Sequence, residues 1–332
     1  MTSYIGRRLL YMVFTMVAVS VVGFAIIKLP PGDYLTFHLQ QLQLSGTTMS
    51  EAQLEGLRKL YGLDQPDYLQ YLKWVANFLQ GNLGLSHQWN KPVTELIGER
   101  IGLTVLLAVI TLAATYAMAI PIGIYSATHQ YSVGDYTATV FGFVGLATPN
   151  FLLALILMWF SYSVLDFSIT GLFSSEYLDA PWSFAKVLDM LKHLPVAIFV
   201  VATAGTAGLI RVMRSSLLDE LQKQYVITAR SKGVEEGQLL FKYPVRIAIN
   251  PIVSTVGGLL PEIVSGTIIT AIVLNLPTVG PLLFTALTAE DMQLASSIVM
   301  VLAILTVIGT FISDMLLLWI DPRIRFDQEQ TA

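Results

Sequence analysis

The stretch KQYVITARSKGVEEGQLLFKYPVRIAINP, from Lys223 to Pro251, is a polar segment between two long apolar segments. It holds five of the 19 Lys and Arg residues of the chain: Lys223, Arg230, Lys232, Lys242 and Arg246. A polar segment of this length, late in an apolar chain, is more typical of a docking surface than of a simple connection.

The composition identifies the kind of protein that surrounds this segment. Of the 332 residues, 54% are hydrophobic and 13% are charged, whereas charged residues make up about a quarter of a soluble domain. Lipid offers no partner to backbone polar groups, so helices are the economical way to cross a bilayer. The absence of cysteine excludes disulfides and thiolate metal sites. The chain is therefore expected to be an all-α membrane protein.

A membrane-spanning helix needs about 20 apolar residues, and six segments are long enough. They are roughly Leu9 to Leu29, Ile101 to Tyr125, Thr137 to Leu165, Leu194 to Met213, Pro251 to Asn275 and Leu294 to Ile320. The first is too long for the apolar part of a typical signal peptide, so it is interpreted as a retained span. The sequence thus predicts six transmembrane helices, with a large external loop after the first and a loop between the fourth and fifth.

The distribution of positive charge predicts the topology. With six spans, both termini lie on one side, and that side carries seven Lys and Arg residues between Arg211 and Arg246 alone. The opposite side carries eight, spread over a much longer sequence. Because cytoplasmic loops are enriched in Lys and Arg, both termini and the Lys223 to Pro251 segment are expected in the cytoplasm of a cell with an inner membrane.

Four regions follow from these spans. Residues 1–29 form the N-terminus and first helix, 30–100 an external loop, 101–320 a five-helix core containing the loop 214–250, and 321–332 a cytoplasmic tail. In the external loop, Ser50 to Tyr61 and Asp67 to Leu79 are predicted to be short amphipathic helices, the second with its apolar face formed by Tyr68, Leu72, Val75 and Leu79. A second external loop, Asp166 to His193, is aromatic, which is typical of interfacial anchors and also compatible with a solute entrance.

Enzyme motifs are missing from the sequence. No Gly is followed by Lys, so there is no P-loop for nucleotide phosphates, and no H-E-x-x-H is present. No span pairs a nucleophile with a His or Lys base. We expect no catalytic activity in this chain alone, no metal site and no nucleic-acid partner.

Two acids fall in or near apolar spans: Glu262, directly after Pro261, and Asp314 in the last span. An ionisable residue at membrane depth is a functional hypothesis because its burial is costly. Glu262 could either line a cavity for the solute or form a structural ion pair. Helix-breaking and span-end residues complete the candidates for a translocation path, which are Glu262, Pro261, Asn275 and Pro149.

The polar segment itself is predicted to contain two helices, Gln222 to Lys232 and Glu235 to Phe241. Gly233 can end the first because glycine tolerates the left-handed conformation. The first helix mixes apolar and basic residues, which fits a groove on a protein partner better than a purely solvated face.

The sequence of this segment also carries a family resemblance. The motifs are Tyr225-Val226-x-Thr228-Ala229-Arg230-x-Lys232-Gly233 and Arg246-x-x-x-Asn250-Pro251, with Leu29-Pro30-Pro31-Gly32-Asp33, Gly81-Asn82-Leu83-Gly84-x-Ser86 and Asp321-Pro322-Arg323-Ile324-Arg325 elsewhere. In this order and spacing they closely resemble permease subunits of binding-protein-dependent ABC importers, in the dipeptide/oligopeptide/nickel branch, over nearly the full length.

The resemblance implies that the cytoplasmic loop contains a coupling helix, which docks in a groove of an ATP-binding subunit. Ala229 and Gly233 would be its small positions, and Tyr225, Thr228, Arg230 and Lys232 would belong to the same coupling surface. The implied partners are a second homologous permease subunit, two ATP-binding subunits that bind ATP and Mg, and an external solute-binding protein. Di- or oligopeptides would cross by alternating access.

Departures from the family pattern leave alternatives open. Peptide permeases of this branch usually have a Glu near the end of the fifth span followed by Trp-Pro-Gly, where this chain has Ala271 and Leu276-Pro277-Thr278. An oligosaccharide therefore remains an alternative solute. A rival mechanism is an ion-coupled secondary transporter that uses Glu262 and Asp314 as a relay.

Overall fold

A computed structural model describes residues 2–28, 55–56, 59, 64–86, 88–166, 169–178, 180–256, 258–259, 263 and 267–320. Most of this part of the chain is helical, which confirms the all-α prediction. The helices are α1 (Thr2–Lys28), α2 (Asp67–Leu79), α3 (Val93–Thr128), α4 (Val133–Ala147), α5 (Asn150–Leu165), α6 (Phe184–Leu221), α7 (Gln224–Ser231), α8 (Glu236–Lys242), α9 (Pro244–Ala248), α10 (Asn250–Ser254), α11 (Ile268–Val273), α12 (Val279–Thr288) and α13 (Met292–Ile320). Two short strands, β1 (Leu85–Ser86) and β2 (Lys91–Pro92), pair antiparallel.

Within the described residues, four helices are long and apolar enough to cross a membrane, namely α1, α3, α6 and α13. The pair α4 and α5 would make a fifth span if it crosses as one unit. The predicted span from Pro251 to Asn275 is described only in part, as α10 and α11. A multi-pass helical membrane protein is thus confirmed, and the count of six stays a prediction.

The predicted third span is not one straight helix, because α4 and α5 meet at an angle of 103°. The break lies at Thr148 and Pro149. Proline disfavours a helical conformation in the residue before it, and Thr148 is extended, with φ −91° and ψ 118°. Pro149 then begins the next helix, since its carbonyl accepts the N–H groups of Leu152 and Leu153.

The structure divides into two compact units. One comprises residues 1–104 and 278–307, and the other residues 105–277 and 308–332. In the first unit, α2 has the bounds predicted from the sequence. Of its predicted apolar face, Tyr68, Leu72 and Leu79 are exposed in the single chain. Trp74 is the buried residue of α2, and it packs with Tyr71 against Phe24 of α1.

A buried carboxylate organises the other end of the first unit. Asp291 begins the turn into α13 and accepts the Ser86 hydroxyl at 2.6 Å and the Gln88 N–H at 3.1 Å, both on Oδ2. Its Oδ1 accepts the Leu294 N–H at 3.1 Å, as a helix-capping side chain does. Gln293 donates to the Leu83 carbonyl at 2.8 Å. The motif from Gly81 to Ser86 is therefore tied to the start of α13.

In the second unit, α6 is the central element, and α4, α5, α9 and α10 all pack on it. The helix continues for 38 residues with Pro195 inside it. Near its C-terminal end, Met213 and Leu217 belong to a buried apolar cluster whose other members are Ala119, Ala127, Leu209, Val245, Ala248 and Ile252. A Cβ on Gly123 of α3 would lie 2.5 Å from the Met213 Cβ, so α3 and α6 approach closely there.

We predict that Asp291→Ala destabilises the first unit by about 3 kcal/mol, because the Ser86 and Gln88 donors lose their charged acceptor inside the protein. Thermal unfolding of the purified protein in detergent measures this as a lower Tm. Glu99→Ala, which removes an exposed acid of the same unit, serves as the control and should change the Tm little. Equal effects of the two substitutions would contradict the prediction.

Candidate functional site

The candidate site is the polar loop that follows α6. Helix α6 ends at Leu221, Lys223 is extended with φ −71° and ψ 146°, and α7 runs from Gln224 to Ser231. A helix was predicted from Gln222 to Lys232, and it is present with slightly tighter bounds. All six predicted coupling residues lie on α7 or in the two residues after it. They are Tyr225, Thr228, Ala229, Arg230, Lys232 and Gly233.

Gly233 ends α7 in the way that was predicted. Its φ is +77°, and the N–H groups of Gly233 and Val234 donate to the carbonyls of Arg230 and Ala229 at 3.0 and 3.4 Å. This pair of bonds is the Schellman motif, which usually requires glycine in the left-handed position. Among the described residues, none has an atom within 4 Å of the place of a Gly233 Cβ. Backbone conformation, rather than a close approach inside this chain, explains the glycine.

One face of α7 is buried within the loop. Val226 and Ala229 pack with Leu239 of α8, and Tyr225, Val234 and Tyr243 border this small core. An isolated helix of eight residues is unstable in water because nucleation is costly. The contact with α8 therefore holds α7 in its helical form. It also places Ala229, one of the predicted small positions, on the inner face.

Polar contacts fix two more of the predicted residues. The Tyr225 hydroxyl donates to the Glu220 carboxylate, and partial burial together with this bond raises the pKa of Tyr225. Arg230 donates from Nε and a terminal nitrogen to the two carboxylate oxygens of Glu236, at 2.5 and 3.1 Å. This bond lowers the pKa of Glu236 and raises that of Arg230. The first contact joins α7 to the end of α6, and the second joins α7 to the start of α8.

The outer face of α7 is open to a partner. Ile227, Thr228 and Lys232 are exposed there, together with the paired Arg230. Phe241 of α8 is 63% exposed and Ile227 is 45% exposed. Neither was among the predicted contact residues, although exposed apolar side chains in a loop outside the membrane often mark a protein interface. Their apolar character inside a basic loop was the available indication.

The loop returns to the membrane along α6. After α8, the short helices α9 and α10 place Val245, Ala248 and Ile252 in the apolar cluster with Met213 and Leu217. The Tyr116 hydroxyl of α3 donates to the Ile252 carbonyl at 3.0 Å. The loop is therefore joined to α6 at two places, through the junction with α7 and through this cluster.

The path candidates have different positions. Pro149 is exposed at the bend between α4 and α5. Asn275 is exposed and left-handed, with φ +51°, and it ends α11 through bonds from its own N–H to the Ile272 carbonyl and from the Leu276 N–H to the Ala271 carbonyl. Since α5 and α11 pack together, the helices next to these two residues are neighbours. Pro261 and Glu262 lie outside the described residues, and Asp314 is half-buried in α13.

We predict that Gly233→Ala loosens α7, because an L-residue in the left-handed conformation costs about 1 kcal/mol. Hydrogen exchange of the α7 amides should become severalfold faster. Gly237→Ala is a matched control, since the space around its Cβ is equally open among the described residues and its φ is not positive. Gly233→Asn should fall between the wild type and Gly233→Ala, because Asn tolerates this conformation. Unchanged exchange in Gly233→Ala would refute the conformational explanation.

Comparison with known proteins agrees with this geometry. The description "binding-protein-dependent transport system inner membrane component" matches residues 119–326. The oligopeptide transport system permease protein AppB of Bacillus subtilis is 35% identical over 98% of this chain and 100% of its own length. A putative peptide permease protein of Brucella ovis is 32% identical over 98% and 99%, and the dipeptide transport system permease protein DppB of Alkalihalophilus pseudofirmus is 28% identical over 98% and 100%. The chain therefore belongs to the family of binding-protein-dependent transport system inner membrane components.

Proposed function

We propose that this chain is the permease subunit of an ATP-driven importer that moves dipeptides or oligopeptides across the inner membrane. The observation that carries the solute class is the full-length similarity to relatives whose names specify oligopeptide, peptide and dipeptide transport. Their identities of 28% to 35% extend over 98% of this chain, so they cover the apolar helices as well as the cytoplasmic loop.

The proposed topology has six spans and cytoplasmic termini. The bent pair α4 and α5 would be the third span, and the segment from Pro251 to Asn275 the fifth. The basic residues between Arg211 and Arg246 support a cytoplasmic loop. In this arrangement the motif from Gly81 to Ser86 and the start of α13 lie on the external side.

The proposed partners follow from the family. Its description names a binding protein, which would deliver the solute at the external face, against the region from residue 30 to residue 100. A second homologous permease subunit would complete the path. Two ATP-binding subunits would bind ATP and Mg and carry out hydrolysis, and this chain would supply no catalytic group.

The geometry of α7 supports a role as the coupling helix. Its inner face is committed to α8, while its outer face presents Ile227, Thr228 and Lys232. A surface that is already ordered loses little conformational entropy on docking. Closure of the ATP-binding subunits would then displace α7 as a rigid element, and the displacement would open the bundle alternately to each side.

We predict ATP-dependent uptake of short peptides by proteoliposomes that contain the complete complex and its loaded binding protein. Uptake of a labelled tripeptide should exceed uptake of an oligosaccharide of similar mass at least tenfold. Vesicles without ATP, with an imposed proton or sodium gradient, are the control. Preferential sugar uptake would replace the proposed solute, and gradient-driven uptake without ATP would favour the ion-coupled mechanism that uses Glu262 and Asp314.

A second prediction concerns coupling. Gly233→Leu should reduce uptake at least tenfold while the complex still assembles and hydrolyses ATP, because a branched side chain is strained at φ +77°. Gly237→Leu introduces the same side chain in the first turn of α8 without that strain. This control should retain most of the uptake. Co-purification of all subunits, ATPase rate and uptake are measured on the same preparations. Wild-type uptake by Gly233→Leu would exclude the proposed role of α7.

A further inference from the structure

A buried carboxylate joins three elements next to the cytoplasmic loop. Asp135, in the first turn of α4, is 2% exposed. It accepts the Ser126 hydroxyl from α3 and the backbone N–H of Tyr131, the latter at 2.9 Å. Arg214 of α6 donates to both of its oxygens, from Nε and a terminal nitrogen, at 2.9 Å each. One side chain thus links the ends of α3, α4 and α6.

The arginine contact is directional. A guanidinium that faces a carboxylate with two parallel bonds fixes both the distance and the orientation of the two groups. Lysine has one charge centre and does not reproduce this fork. The Arg214 side chain is 27% exposed and the Asp135 side chain 3% exposed, so the pair is largely withdrawn from water. It sets the position of α4 along α6 at this end.

Away from the ion pair, α4 and α6 meet through small residues. A Cβ on Gly142 would lie 3.9 Å from the Ala207 Cβ, and a Cβ on Gly145 would lie 2.9 Å from the Thr203 side chain. Gly142 follows Asp135 by seven residues, and Ala207 precedes Arg214 by seven residues. All three contacts therefore follow one antiparallel register. Small side chains let the two backbones approach closely, and the charged pair adds a directional contact at one end of the same register.

The ion pair is close to the origin of α7. Arg214 lies seven residues before Leu221, the last residue of α6, which is about 10 Å at 1.5 Å per residue. Only Gln222 and Lys223 separate α6 from α7. The apolar cluster in which Met213 and Leu217 contact Val245, Ala248 and Ile252 surrounds the same part of α6. A force on α7 acts first on the segment of α6 that carries Arg214.

We propose that Asp135 and Arg214 are positioning residues that pin α4 to α6, so that a displacement of α7 is passed on to α4 and to its bend with α5. This inference rests on the proposed coupling role of α7. Without this ion pair, α6 would move relative to α4 along the contact of small residues. ATP hydrolysis would then continue with less solute moved in each cycle.

The first test measures solute moved per ATP hydrolysed in the reconstituted complex. Asp135→Asn and Arg214→Lys should lower this ratio at least fivefold while the ATPase rate stays within about twofold of the wild type. Arg211→Lys, at an exposed position one turn earlier on α6, is the matched control and should leave the ratio unchanged. A purely structural role would instead reduce assembly, ATPase and uptake together. That result, or a wild-type ratio in both variants, overturns the proposal.

A disulfide tests the pin directly. The chain has no cysteine, and the 3.9 Å between the Gly142 and Ala207 Cβ positions falls within disulfide geometry. In the Asp135→Asn background, oxidised Gly142→Cys/Ala207→Cys should restore at least half of the wild-type ratio, and reduction should remove the rescue. The same disulfide should be neutral when Asp135 is present. Failure to rescue, or inhibition in the presence of Asp135, overturns the proposal.

A spectroscopic measurement separates this inference from the solute class. Spin labels at Val133→Cys and Ser215→Cys, both exposed positions next to the pair, report the separation of α4 and α6. The separation should not change when the complex is trapped with ATP, and it should widen or broaden in Arg214→Lys. If the label separation changes on trapping with ATP while Asp135 and Arg214 are both present, the proposed positioning role is overturned. A complex that imports no peptide but keeps this separation overturns the solute class alone.

Discussion

The continuity of α6 is the constraint on which the second unit depends. This helix runs for 38 residues, from Phe184 to Leu221, and α4, α5, α9 and α10 pack on it. Pro195 lies inside this helix and lacks an N–H donor, so one internal backbone bond is missing there. From Pro195 to Leu221 the helix can keep its backbone bonds internal, as a membrane requires. Contacts near Leu221 therefore bear on this segment, including the part around Thr203 and Ala207 that packs on α4.

Buried carboxylates determine how the helices are joined. Asp135, Asp189 and Asp291 are each almost completely buried, and each accepts bonds from a separate segment. Asp189 of α6 accepts the Ser174 hydroxyl and N–H at 2.7 Å, as Asp291 accepts Ser86 and Asp135 accepts Arg214. An unpaired buried charge would be costly, so each acid requires its donors to remain in place. Apolar packing holds the helices together, and these polar bonds fix where they meet.

This difference explains what could be predicted from the sequence. The apolar runs are long, so their helical character followed from length alone, whereas their ends did not: the predicted span Leu194 to Met213 is a helix from Phe184 to Leu221. The first helix of the loop, α7, and its terminating Gly233 could be predicted because they depend on residues next to one another. The buried acids could not be found in this way. Ser86 and Asp291 are 205 positions apart and Arg214 and Asp135 are 79 apart, and nothing in the local pattern of Asp135 distinguishes it from a solvated helix-start acid. The exposed predicted face of α2 has the same origin, because the choice of Trp74 depends on Phe24 of a different helix.

The contacts that hold α7 in place bear on its proposed coupling role. A coupling element must be stiff along the direction of force, because any internal flexibility absorbs displacement. Three kinds of contact hold α7 in place here: its core with Leu239 of α8, the Gly233 cap, and the bonds of Tyr225 and Arg230 to neighbouring elements. The contact of α4 with α6 beyond the ion pair is made by small residues instead. Small side chains carry no directional bond, so they do not by themselves define how far one helix lies along the other. The chain places a directional, largely buried ion pair at the end of that interface nearest the loop, where it would let a displacement of α6 be passed on to α4.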